Sequence, residues 1–190
     1  MMRSKNYQRK HLRAPFKESV LYSDGDYVHK ASTLNISEGG LLIDQLPGFP
    51  ERDDVSLMIS IPQLPSLKNF SLLKMQTFSR ELFGRHVIRV KAKMVRREQL
   101  AQNLDNIFRS RFGLQFTMIT PQDQKHIEEY VVTFASNLIY LQTLIDSFNS
   151  DNETKIRTRT LAGILGYQDV ERIAQLRALV THDYRSLQWL

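Results

Sequence analysis

The hydrophobic period of this chain changes once, at Pro121, and that change most constrains its fold. Before it, Val55, Leu57, Ile59 and Ile61 alternate with polar or smaller residues. Period two marks a strand with one buried face. Ile88, Val90, Ala92 and Met94 repeat the pattern, out of step with Val87, Arg89, Lys91 and Lys93. After Pro121, apolar residues Ile127, Val131, Phe134, Leu138, Leu141, Ile145 and Phe148 recur at spacings of four and three. That is an apolar helical seam, which Tyr130 and Leu144 widen on one side. A β section followed by helices is therefore expected.

Turn signals divide the β section. Val20–Tyr22 is a short apolar run ahead of Ser23-Asp24-Gly25-Asp26. Tyr27–Leu34 is rich in strand formers, Gly39-Gly40 interrupts the chain, and Leu41–Ile43 can begin the next strand. Pro47, Gly48 and Pro50 mark a loop, and Pro62 and Pro65 end the strand before them. Further strands are expected near Phe70–Thr77 and His86–Arg96, with Phe112–Phe116 closing the set. Residues 98–108 are polar and ambiguous. Six or so short strands point to a small barrel or sandwich. Thr120 is a plausible N-cap for a helix opening at Pro121, with Asp123 in its first turn. Residues 149–154 read as a polar linker, and a helical extension follows with a break at Gly166.

Charge narrows the function. The chain has 190 residues and a net charge of +6, which favours an anionic partner. Residues 1–19 are expected to form a mobile basic arm, since residues 1–13 carry many charges and few apolar anchors. An ordered arm packed by Leu12 and Phe16 is the plainer alternative. The absence of cysteine excludes disulfides and thiolate metal sites and leans towards a reducing compartment. The basic N-terminus is not followed by an apolar run, so no secretory signal is expected. Tyr130–Phe148 carries no charge before Asp146, but Ser136, Asn137, Gln142 and Thr143 argue against a membrane span. The five histidines show no metal-ligand spacing, and there is neither a phosphate-binding glycine loop nor a nucleophile elbow. The expectation is a binding protein with no catalytic activity, metal or cofactor.

Two constellations carry binding chemistry. Arg9 and Arg13 are four apart, and in a helical turn or an extended segment that spacing puts both on one side. A guanidinium is planar and always charged, and its fork of donors grips a phosphate or the O6 and N7 edge of guanine. Taken alone the pair reads as a basic tail, and Arg85 and Arg89 repeat its spacing. The second constellation is Asn35-Ile36-Ser37-Glu38-Gly39-Gly40. In an extended segment Asn35 and Ser37 face the same way, offering amide and hydroxyl donors and acceptors. Gly40 permits positive φ or a close backbone approach. A turn between two strands is the plainer reading.

Together, Arg9 and Arg13 followed by Asn35, Ser37 and Gly40 resemble the PilZ family, over about residues 7–135. That family has Arg-x-x-x-Arg in an N-terminal loop and Asp/Asn-x-Ser-x-x-Gly on a barrel. The resemblance implies a small antiparallel six-stranded β-barrel followed by C-terminal helices. The expected division is an arm over 1–19, a barrel over 20–120, a heptad helix over 121–148 and a helical extension over 149–190. It also implies a bacterial, cytoplasmic receptor for cyclic di-GMP. Arg9 and Arg13 would wrap phosphates and guanines, and Asn35 and Ser37 would meet a base from the barrel, beside Gly40. Two rival readings are a PilZ-like protein-interaction module without nucleotide binding and a basic nucleic-acid binder. The second lacks the surface aromatics of a stacking platform. The long seam over 121–148 needs another helix, either the tail of the same chain or a second copy, and a homo-oligomer is expected.

Overall fold

The computed structural model describes residues 11–44, 54–79, 82–99, 110–148 and 151–188. Its strands are β1 (Ala14–Pro15), β2 (Ser19–Asp24), β3 (Tyr27–Ser37), β4 (Gly40–Asp44), β5 (Asp54–Pro62), β6 (Arg85–Gln99) and β7 (Ser110–Met118). Six of them close an antiparallel barrel in the order β3-β2-β5-β6-β7-β4, with β4 pairing back onto β3. Alternation accounts for the interior. Val20, Tyr22, Val55, Leu57, Ile59, Ile61, Ile88, Val90 and Leu114 are all buried, and each fully buried Val or Leu contributes about 1.5–3 kcal/mol. The β2–β3 hairpin turns at Gly25, whose φ of +61° suits glycine.

Helix α2 spans Pro121–Asp146, after α1 (Leu72–Gln76) and before α3 (Asn152–Ile164) and α4 (Ile173–Gln188). The Thr120 side chain accepts a hydrogen bond from the Asp123 N–H at 3.1 Å, so the expected N-cap is present. Ile127, Tyr130, Val131, Phe134, Leu138, Leu141, Leu144 and Ile145 are buried. They lie against the barrel on one side and against α3 and α4 on the other. Of the two covers anticipated for the seam, the tail of the same chain is the one present. Arg177 Nη2 donates to the Ile145 carbonyl at 3.0 Å and closes the end of α2. Gly166 turns α3 towards α4 at a φ of +92°. The Tyr167 hydroxyl then donates to Asp183 Oδ2 at 2.6 Å across that turn. Burial, with Asp183 beside it, pushes the Tyr167 phenol far above its ordinary pKa. No helix among the described residues is long and apolar enough to cross a membrane.

Three expectations are corrected. Phe70–Thr77 is not a strand. A 3₁₀ turn over Leu67–Asn69 leads into α1, whose N-cap Ser71 accepts from the Lys74 N–H at 3.2 Å. Leu67 and Met75 are buried while Leu73 faces solvent, so the burial spacing is helical. Buried Asn137 of α2 holds this insert. Its Oδ1 accepts from the Leu67 N–H and its Nδ2 donates to the Pro65 carbonyl, each at 2.9 Å. Residues 149–154 are not all linker, because Asp151 caps α3 by accepting from the Thr154 N–H at 2.6 Å. Residues 11–19 are not a free arm either. Ala14 and Phe16 are fully buried, and β1 pairs with β3. The Pro47–Pro50 loop and residues 100–108 lie outside the described residues.

Candidate functional site

The alternation of β3 slips once, and the slip builds the site. Ala31 and Thr33 are buried, and the next buried residue is Ile36, opposite Leu41 of β4 and Ala14 of β1. A bulge between Thr33 and Asn35 absorbs the extra residue. One inserted residue exchanges the faces of all that follow. Ile36 therefore stays in the core and Asn35 turns to the outer side, where it is half-buried, while Ser37 beside it is itself buried, 7% exposed. Without the bulge, Asn35 would share the inward face of Ala31 and Thr33. Thr33 secures the irregularity. Its Oγ1 lies 2.7 Å from the Phe16 carbonyl and 2.8 Å from the Glu18 carbonyl, and accepts from the Glu18 N–H at 3.2 Å.

Beyond the bulge, Asn35 stands opposite Leu42, and Ser37 opposite Gly40. The Ser37 hydroxyl donates to the Gly40 carbonyl at 3.2 Å. Among the described residues, the Asn35 amide makes no side-chain hydrogen bond. Gly40 is required by close approach rather than by φ. A Cβ there would lie 2.1 Å from the Leu114 carbonyl oxygen of β7, and backbone at that distance cannot move aside. The outer surface continues onto β7, where Gly40 faces Gln115, Leu42 faces Gly113 and Asp44 faces Arg111. Two glycines thus keep this stretch low, between the Asn35 amide on one side and the Gln115 amide on the other. Arg111 Nε sits 3.6 Å from Asp44 Oδ1 at its edge.

The segment before β1 reaches this surface. Ala14 pairs with Ile36 and Pro15 with Asn35. The strands run antiparallel, so Arg13 lies at the Ser37 end of β3. His11 settles against the β3–β4 turn, its Nδ1 3.5 Å from Glu38 Oε2. Its ring occupies the space above Gly39, where a Cβ would come within 3.1 Å of His11 Cδ2. Behind the segment, the Tyr130 hydroxyl of α2 donates to the Pro15 carbonyl at 2.8 Å, and Phe16 packs edge-on against Tyr130 at 5.4 Å between ring centres.

Arg13, Asn35, Ser37 and Gly40 are therefore neighbours around one end of the β3–β4 hairpin. Arg9 lies outside the described residues. His11, Glu38, Gly113 and Gln115 join the surface without having been singled out as site residues. The alternation in Phe112-Gly113-Leu114-Gln115-Phe116 carries a signal for the last two, since it puts Gly113 and Gln115 on one face. The second arginine pair is elsewhere, on β6.

With the segment of Arg13 laid along β3, the six strands form a small, fully closed antiparallel barrel. The chain belongs to the PilZ domain family, whose profile matches residues 7–133. Among solved structures, it is similar to the Bacillus subtilis inhibitor of motility, at 16% identity and a TM-score of 0.45, over 65% of this chain and 49% of that one. It thus spans about half the length of that protein. It is also similar to the PilZ domain with c-di-GMP of YcgR from Escherichia coli, at 11% identity and a TM-score of 0.40, over 66% of this chain and 90% of that one. A third is the Borreliella burgdorferi PlzA protein in complex with c-di-GMP, at 11% identity and a TM-score of 0.41, over 67% of this chain and 52% of that one. No curated protein matches the chain.

Proposed function

We propose that this chain is a receptor for cyclic di-GMP, acting by binding and not by catalysis, in the bacterial cytoplasm. The observation that supports this reading is the β1–β3 pairing, which runs the segment carrying Arg13 along the strand of Asn35, whose amide makes no side-chain hydrogen bond among the described residues. Arg9 and Arg13 supply planar cationic donors for the phosphates and guanines. Asn35 and Ser37 offer polar contacts to a base edge, and Gly40 keeps the surface low enough to admit it. His11 positions the arginine segment by holding it to Glu38 and Gly39.

Binding also has a route to the rest of the molecule in this reading. The segment that carries Arg13 touches α2 through Pro15, Phe16 and Tyr130. Tension on it shifts partner affinity at the helices. The seam of α2 is covered within the chain, so the proposal does not include the homo-oligomer expected through residues 121–148.

Titrating the native protein with cyclic di-GMP, GMP and single-stranded DNA tests the reading. Cyclic di-GMP binds with a Kd near micromolar or tighter, about 8 kcal/mol, and GMP binds far more weakly. Equal affinity for single-stranded DNA would make the basic surface a nucleic-acid site. Absence of all binding would leave an interaction module.

A further inference from the structure

The opposite side of the barrel carries a second surface with a different chemistry. Register places Lys30 of β3, Leu21 of β2, Met58 of β5 and Arg89 of β6 side by side in one outward row. All four are exposed. The next row holds Val28, Ser23, Ser56 and Lys91, with Val28 69% exposed. Lys93 extends the cationic edge of β6, opposite Asp54. Among the described residues, Lys30, Arg89, Lys91 and Lys93 form no ion pair. The face is thus apolar in the middle, over Leu21 and Met58, with Lys30 on the β3 flank and Arg89, Lys91 and Lys93 along the β6 flank.

We propose that this face docks an acidic amphipathic helix of a partner protein. Neighbouring strands lie about 4.8 Å apart, so Lys30 and Arg89 are separated by roughly 14 Å across three strand spacings. A helix with its side chains is about 10–12 Å wide. One fits between the two flanks with its apolar stripe on Leu21 and Met58, and carboxylates on either side of the stripe reach Lys30 and Arg89. A second copy of this chain is a poor occupant, because it would set Lys30, Arg89, Lys91 and Lys93 against the same four cations. Duplex nucleic acid would lay phosphates over the apolar middle. Leu21 and Met58 are only 40% and 36% exposed, which leaves little apolar surface for insertion into a lipid layer.

The test uses the full chain and a designed helical peptide with a leucine stripe flanked by glutamates on both sides. Its scrambled counterpart, phosphatidylglycerol vesicles and duplex DNA are run in parallel. The designed peptide binds, and the scrambled peptide, vesicles and DNA bind at least about tenfold more weakly. Lys30→Glu with Arg89→Glu weakens the peptide by about tenfold or more, since like charges now face each other across the contact. Met58→Asp does the same without touching a cation. Circular dichroism confirms that each variant is folded, and cyclic di-GMP affinity stays unchanged in all of them. Indifference of peptide binding to both variants would overturn the proposal, as would preference for vesicles, DNA or the scrambled peptide.

Discussion

Two arginine pairs in this chain have the same spacing and opposite circumstances. Arg85 and Arg89 lie on one barrel strand, and Arg85 is consumed by structure. Its Nη2 donates to Glu18 Oε2 at 2.6 Å and to the Ser60 carbonyl at 3.1 Å, and its Nε donates to Ser60 Oγ at 2.7 Å. Arg9 and Arg13 precede β1 in the sequence, and the pairing of β1 with β3 puts Arg13 at the Ser37 end of β3. Spacing is therefore uninformative by itself. What distinguishes Arg13 from Arg85 is the strand beside each, β3 for the segment of Arg13 and β5 for Arg85.

The largest effect that can break this comparison is on the surface that receives Arg13. Gly40→Val puts a branched side chain where even a Cβ meets the Leu114 carbonyl at 2.1 Å. Prying β4 from β7 should cost about 3 kcal/mol or more of stability. Thermal unfolding measures it, and a wild-type midpoint would show that the close approach is dispensable. Next, Arg13→Ala should weaken cyclic di-GMP by roughly 1.5–3 kcal/mol, the range for hydrogen bonds to charged groups. Fluorescence titration reads that loss.

Smaller effects sharpen the contrast. Asn35→Ala should cost about 0.5–1.5 kcal/mol of affinity with little change in stability, because the amide makes no side-chain hydrogen bond within the described structure. A larger fall in stability than in affinity would assign Asn35 to the fold. Arg85→Ala should do the reverse. It leaves affinity unchanged and costs about 0–1 kcal/mol of stability, the worth of a partly exposed ion pair. Urea unfolding beside a ligand titration separates the two quantities.

Much of the barrel could be read from residue order. Val55–Ile61 and Ile88–Met94 alternate cleanly because one side of each strand is core and the other is solvent. The helix start was legible because a cap is local chemistry, with Thr120 and Asp123 three residues apart. Leu72–Gln76 was misread because five residues barely separate period two from period 3.6, and its anchor, Asn137, lies far along the chain. Residues 11–19 were expected to be free, since nothing local announces that Phe16 would be buried beside Tyr130. The Asn35–Gly40 motif was readable as a contiguous string. The bulge that turns Asn35 outward and the pairing that brings Arg13 to it are long-range facts of register.

The most direct test of the account titrates cyclic di-GMP calorimetrically into three proteins side by side: the native chain, the Arg9→Ala/Arg13→Ala double variant and the Arg85→Ala/Arg89→Ala double variant. The account predicts that the first variant loses about a hundredfold or more in affinity, from two charge-assisted contacts removed, while the second binds like the native chain. Equal losses in the two variants, or a loss confined to the second, would contradict it.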